Sequence, residues 1–236
     1  MRAVCRADAL RVPGGQTGAM TATPHRTSLD AAVELTRTGD IWIFRGHSVA
    51  DRAIQTLTNA PVNHVGMAVV LDDLPPLMWH AELGQHLLDV WTGTHHRGVQ
   101  LHDLREAVVR WQDTHGQRAW LRQLSPEVGR SHEDALLRTI ARLDGVSFPS
   151  TARLAWRWLS GRDAHVSRRE RLRSGARPEV AYCAEVVAAT YADMGLLDPA
   201  FPVNWYDPGA FWSGDTLPLR PGWALGREVA VARALG

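Results

Sequence analysis

The sequence predicts an α+β domain. Three observations carry that prediction. The chain has 236 residues, of which 45% are hydrophobic, enough for one sizeable core. Short β-prone runs are interspersed with amphipathic helical stretches. The strands so found read as mostly antiparallel in this order.

Residues 1–30 mix Gly, Pro, Thr and Arg without periodicity and read as a disordered extension, leaving 31–236 as the domain. Ser28 is a plausible cap for a helix over AAVELTRTG, and Gly39-Asp40 then makes a turn. Ile41 to Phe44 is a strand. Ser48 opens a helix to about Asn59, with Val49, Ala53, Ile54 and Leu57 on one face. Val65 to Leu71 is a buried strand, Asp72 to Pro76 a turn, and Leu77 to Leu83 and Val99 to Leu101 are further strands. Leu104 to Val109 is a weakly signalled helix. Arg118 to Leu124 alternates as a strand, and Ser131 to Leu143 is an amphipathic helix. Thr151 to Leu159 is helical, and 160–179 is polar and arginine-rich. Val180 to Met194 is a helix ended by Gly195. Residues 198–223 are loop-rich, and Val229 to Ala232 closes as a strand.

Composition excludes several classes. A formal net charge of +1 gives no global field for nucleic acid. The longest apolar run, Val65 to Leu71, is far short of the roughly 20 residues of a membrane span. The first residues contain no continuous apolar core, so the expected location is cytoplasmic. All 26 basic residues are arginine. With no lysine, Schiff-base chemistry on lysine and a Walker A phosphate loop are both excluded. Cys5 and Cys183 are the two cysteines, and a structural disulfide is not expected.

Cys183 is one candidate nucleophile. Its helix shows an apolar face of Val180, Cys183, Val186, Val187, Thr190, Tyr191 and Met194. A small core hydrophobe is the other reading of such a cysteine. Near the start of a helix, unpaired N–H groups and the dipole would stabilise a thiolate and hold an oxyanion. His64 stands at the mouth of a buried strand, before Val65-Gly66. On Leu77 to Leu83, Met78, His80 and Glu82 share one face and Trp79, Ala81 and Leu83 the other. A carboxylate there could orient an imidazole, or that face could simply be solvated.

Four strings carry a family resemblance: TGDIWIFRGHS (38–48), NHVGMAVV (63–70), WHAEL (79–83) and AYCAEVVAATYADMGLL (181–197). Together they resemble the YiiX-type permuted papain-like amidases, relatives of the NlpC and lecithin:retinol acyltransferase enzymes. The resemblance implies a circularly permuted papain-like fold, with a small antiparallel sheet packed on a cysteine-bearing helix. It implies Cys183 as nucleophile, His64 as base and Glu82 as orienting residue, with His80 as the nearest competitor for that last place. The backbone N–H of Cys183 would serve the oxyanion hole. Asn63, Tyr182, Trp205 and Tyr206 are expected to contact substrate. The implied activity is that of an amidase or peptidase working through a thioester, without a cofactor. Alternatives are an acyltransferase or lipase with the same residues, or a binding module. The substrate would be a small molecule, a peptide or a lipid acyl group.

Other patterns are weaker. His80, His86, His95, His96 and His102 cluster along the chain, but their spacing matches no zinc motif, and the deaminase pattern lacks its P-C-x-x-C half. No G-x-S-x-G is present. Eight arginines between Arg153 and Arg177 form either a solvated surface or a contact with an anionic membrane. Phe201, Trp205, Tyr206, Phe211 and Trp212 form either a satellite core or an apolar rim for substrate.

Overall fold

A computed structural model describes residues 26–46, 61–82, 84–146, 178–214 and 217–233. The expected helices over 48–59 and 151–159, and the arginines from Arg153 to Arg177, lie outside the described residues. In chain order the elements are β1 (Arg26–Thr27), α1 (Leu29–Leu35), β2 (Ile41–Arg45), β3 (His64–Val69), β4 (Leu77–Glu82) and β5 (Gly98–Asp103). Then come α2 (Leu104–Asp113), β6 (Arg118–Arg122), β7 (Leu124–Ser125), α3 (Arg130–Leu143), α4 (Pro178–Asp193), β8 (Ala224–Leu225) and β9 (Val229–Val231). Two 3-10 turns, Val203–Trp205 and Pro208–Phe211, follow α4.

The class is α+β. The main sheet has seven strands in the order β1-β9-β6-β2-β3-β4-β5, and β7 pairs with β8 apart from it. β1 and β9 run parallel, while the other pairs of the main sheet are antiparallel. The sheet is thus mixed and larger than the small antiparallel one expected. The parallel edge comes from β1 (Arg26–Thr27), which falls in the segment expected to be disordered and is too short to show alternation; it pairs with β9, which matches the strand expected over Val229 to Ala232.

The central strands are buried on both faces. On β2, Ile41 and Ile43 join the core that also holds α3 and α4, while Trp42 and Phe44 join the core under α1 and α2. β3 divides the same way, with Val65, Met67 and Val69 toward α4 and Ala68 toward α2. On β4, Trp79 and Ala81 face α4 and Met78 faces α2. The face carrying His80 and Glu82 is therefore covered by α2 rather than solvated.

α2 runs a full turn beyond the expected Val109. Asp103 caps it, its carboxylate accepting the Glu106 N–H at 2.9 Å. Leu104, Ala107 and Val108 bury one face, and the extra turn brings Trp111 over the sheet.

Gly39 and Asp40 join these layers. Gly39 has φ 91°, a region that glycine enters without steric cost. Its carbonyl accepts the Tyr191 hydroxyl from α4 at 2.5 Å. Asp40 is fully buried. Its two carboxylate oxygens accept the N–H groups of Leu124, at 2.8 Å, and of Arg37, at 2.9 Å. Burial pushes its carboxyl up to about 6 against the pull of those two donors.

Asp40→Asn presents only one carbonyl oxygen to two donors. We expect it to lower unfolding stability by about 1–3 kcal/mol in urea titrations. Because the carboxyl is raised, the wild type loses this group's stability as pH rises through about 6, and the neutral variant does not. The gap should therefore narrow from pH 5 to pH 8. Equal midpoints at both values would show that the carboxylate holds nothing.

Candidate active site

His64 opens β3. Strand alternation sends its ring to the α2 side, where it stacks on Trp111 with centroids 3.9 Å apart and planes 16° apart. Its Nε2 lies 2.9 Å from His80 Nδ1. His80 Nε2 lies 2.9 Å from His102 Nδ1, and His102 Nε2 lies 2.9 Å from Gln100 Oε1. Four side chains from three adjacent strands thus form one continuous hydrogen-bonded line. The β4–β5 register supplies it, setting His80 opposite Gln100 and Met78 opposite His102.

Gly66 lets β4 come this close. A Cβ at that position would meet Met78 Sδ at 2.4 Å and His80 Cβ at 3.3 Å. Burial draws His64 down to about 3 and His102 to about 4, and it draws His80 well below the usual histidine value. All three rings are neutral at physiological pH.

Glu82 takes a different place from the one expected. Its carboxylate stands 3.9 Å from both His80 Nε2 and His102 Nδ1, outside hydrogen-bond range. His80, not Glu82, holds His64. Glu82 follows two residues after His80 on the same face, so it lies one pleat farther along β4, and burial raises its carboxyl.

Cys183 projects from α4 into the opposite layer, where it is fully buried. Its sulfur faces the backbone N–H of Val65, the residue after His64. The β3–β4 ladder ends at Met67–Trp79, so Val65 lies beyond the last pair of the two strands. The nucleophile candidate and the histidine line thus approach β3 from its two sides, where β3 and β4 part. Burial pushes the thiol up to about 12, although the N–H groups of Val65, Ala184 and Cys183 pull the other way.

α4 begins at Pro178, two residues before the start expected at Val180. Proline suits the first helical position because its missing N–H would have no partner there. Cys183 therefore sits in the second turn, past the unpaired N–H groups of a helix start. The expected thiolate stabilised by free helix N–H groups gives way to a buried neutral thiol. The backbone N–H of Cys183 is itself one of the groups that face its sulfur.

The remaining expected residues scatter around this centre. Asn63 Oδ1 accepts the Gly46 N–H at 3.0 Å, which ties the end of β2 to the start of β3. Tyr182 is buried beside Cys183. Trp205 is half-buried, with its ring 5.2 Å from that of Tyr206. Tyr206 and Phe211 belong to the main core, so this aromatic group is packed interior rather than an exposed rim. Arg122 holds the segment down by donating to Phe211 O and Gly226 O. Among the described residues the buried Tyr206 hydroxyl has no hydrogen-bond partner.

The expected histidine cluster divides into two groups. His80 Nε2, His102 Nδ1 and a Glu82 oxygen lie within 4.8 Å of one another, as do groups of Asp89, His96 and Asp144. Either spacing suits a metal ion, but in the first the two nitrogens already face each other as a hydrogen bond. In the second, His96 Nε2 stands 3.4 Å from Asp89, and burial pushes Asp144 up to about 6. A separate cavity of about 490 Å³ lies at the β6–β9 edge, between Gln112, Arg118, Trp120 and Arg233, away from Cys183. Among the described residues no helix is long and apolar enough to cross a membrane.

Sequence reasoning missed Gln100 and Trp111, and it named His102 only as one of a loose histidine cluster. Signals existed for all three. Gln100 and His102 alternate with Val99 and Leu101 on a strand that pairs with His80-Ala81-Glu82. Asp103 followed by Glu106 marks a helix start from which Trp111 falls on the Leu104, Ala107 and Val108 face.

The chain is similar to a solved structure described as the crystal structure of metalloprotein yiiX from Escherichia coli O157:H7, DUF1105. The two share 18% identity with a TM-score of 0.44, over 85% of this chain and 99% of that one. No family model matches the chain, and no curated protein does.

Gly66→Ala should press on Met78 and His80 together. We expect a loss of about 1–3 kcal/mol in stability, the usual cost of overpacking a filled core. Urea denaturation measures it. An unchanged midpoint would mean that the β3–β4 spacing adjusts freely.

Proposed function

We propose that the protein is a cysteine-dependent hydrolase of amide or ester bonds. In this reading Cys183 attacks, His64 moves the proton and His80 orients His64. One observation carries it: the Cys183 sulfur faces the N–H of Val65, directly after a histidine whose Nε2 is already held at 2.9 Å by a second histidine. A nucleophile, a base and an orienting group are the parts that acyl transfer requires. The resemblance of the four sequence strings to permuted papain-like amidases points the same way.

The cycle starts from neutral partners. As Cys183 sulfur bonds to the substrate carbonyl carbon, its proton passes to His64 Nδ1 and the carbonyl electron pair moves onto oxygen. His64 is then an imidazolium. Its Nε2–H donates to His80, and the face of Trp111 stabilises its charge. Collapse of the intermediate breaks the bond to the leaving nitrogen or oxygen, which takes the proton from His64. A thioester remains. Water attacks it while giving a proton to His64, the carbon–sulfur bond breaks, and the thiol recovers that proton.

Neutral partners set the pH behaviour. Burial lowers His64 to about 3, so its base form persists well below the ordinary histidine value of about 6.5. With nitrophenyl esters and anilides of varied acyl groups, the acid limb of kcat/KM should lie below pH 6. Intact mass should show an acyl adduct on Cys183. Cys183→Ala should abolish both, and His64→Ala should slow acylation about 100-fold or more. Turnover retained in Cys183→Ala would overturn the reading.

A further inference from the structure

Gln100 lies two rings away from His64 and is fully buried. Its side-chain nitrogen is surrounded by three carbonyl oxygens, those of Glu82 at 3.2 Å, Gly84 at 3.3 Å and Gly98 at 3.4 Å. A carbonyl only accepts, so the NH2 group must point that way and Oε1 must point at His102. This settles the amide orientation from the network itself.

The consequence travels along the line of rings. Gln100 Oε1 accepts, so His102 Nε2 carries a hydrogen. In a neutral ring His102 Nδ1 is then bare, and it accepts from His80 Nε2. His80 Nδ1 is bare in turn and accepts from His64 Nε2. His64 is left with its hydrogen on Nε2 and a lone pair on Nδ1. Charge on any ring would break this sequence, and the line is buried with no carboxylate among the described residues in hydrogen-bond contact with it.

We propose that Gln100, acting through His102 and His80, fixes His64 in the tautomer whose Nδ1 is bare and able to take a proton. Gln100 is thus a positioning residue for the base, placed on β5 beyond both the nucleophile and the orienting histidine. The proposal rests on the hydrolase reading for its purpose, but its geometry can be tested without turnover. A divalent ion held between His80 Nε2 and His102 Nδ1 would produce the opposite state. It needs both nitrogens bare, which moves the His80 hydrogen to Nδ1 and makes His64 Nε2 the acceptor. His64 would then carry its hydrogen on Nδ1 and could not act as the base.

Long-range proton–nitrogen correlation spectra of the full chain, labelled with 15N-histidine, read these tautomers directly. His64, His80 and His102 should all appear as neutral Nε2–H rings in the wild type, with and without a chelator. In Gln100→Leu, the acceptor is gone and His64 should populate the Nδ1–H form. The acylation rate should fall about tenfold or more, with KM little changed. Gln100→Glu keeps an acceptor facing His102 and should restore the Nε2–H form. An Nδ1–H form of His64 in the wild type would overturn the proposal, as would an unchanged tautomer in a folded Gln100→Leu. The wild-type spectrum decides even if the variants fail to fold. Failure of the hydrolase reading would look different: Nε2–H rings as expected, but no acyl adduct on Cys183.

Discussion

Two hydrogen bonds across an apolar layer hold α4 on the sheet, and the placement of Cys183 depends on them. The Tyr191 hydroxyl donates to Gly39 O at 2.5 Å, and Trp79 Nε1 donates to Thr190 Oγ1 at 3.0 Å. Each is buried, so breaking either strands a polar group away from water, at a cost of about 1–3 kcal/mol. Apolar packing alone would let the helix slide or turn; these bonds fix both its height and its rotation. Cys183, Val187 and Tyr191 recur at four-residue spacing on one helical face. Locking Tyr191 to the glycine turn therefore sets where Cys183 meets β3. The same turn positions Asp40, which ties β2 to the segments on either side of it.

Burial gives the site its order and limits its reactivity. Packing under α2 holds His64, His80 and His102 in one line, and the same packing disfavours charge on any of them. On the other side of β3 it disfavours a thiolate at Cys183. An ion pair at rest would have to overcome both penalties. In the proposed reaction a neutral thiol and a neutral base avoid them and defer charge separation to the moment of attack. In that reaction Trp111 and His80, which touch His64, would meet the new positive charge.

Much of the frame was legible in the sequence because periodicity reports burial. The runs Ile41 to Phe44, Val65 to Leu71 and Leu77 to Leu83 became β2, β3 and β4 with small shifts at their ends. The separation of Met78 and His80 from Trp79 and Ala81 followed from alternation alone, and the two faces do enter different cores. Pairing between distant strands was not legible. Nothing local in Arg26–Thr27 announces that it joins Ala230–Val231. The site divides in the same way. His64 and Cys183 were visible as residue types in suggestive strings, whereas the choice between His80 and Glu82 turned on which pleat faces His64. The register of β5 against β4, which places Gln100 and His102, is a long-range property that no short window contains.

The direct test of His64 as the base of Cys183 is the alkylation rate of Cys183 by iodoacetamide, followed by intact mass from pH 6 to pH 9. The comparison is between the chain with Cys5→Ser and the same chain with His64→Ala added. Attack by a neutral thiol assisted by neutral His64 predicts a rate nearly flat across this range, because neither group changes protonation between about 3 and about 12. It also predicts a fall of about tenfold or more when His64 is removed. Equal rates in the two proteins at every pH would contradict that role for His64, and would leave Cys183 a core residue of α4.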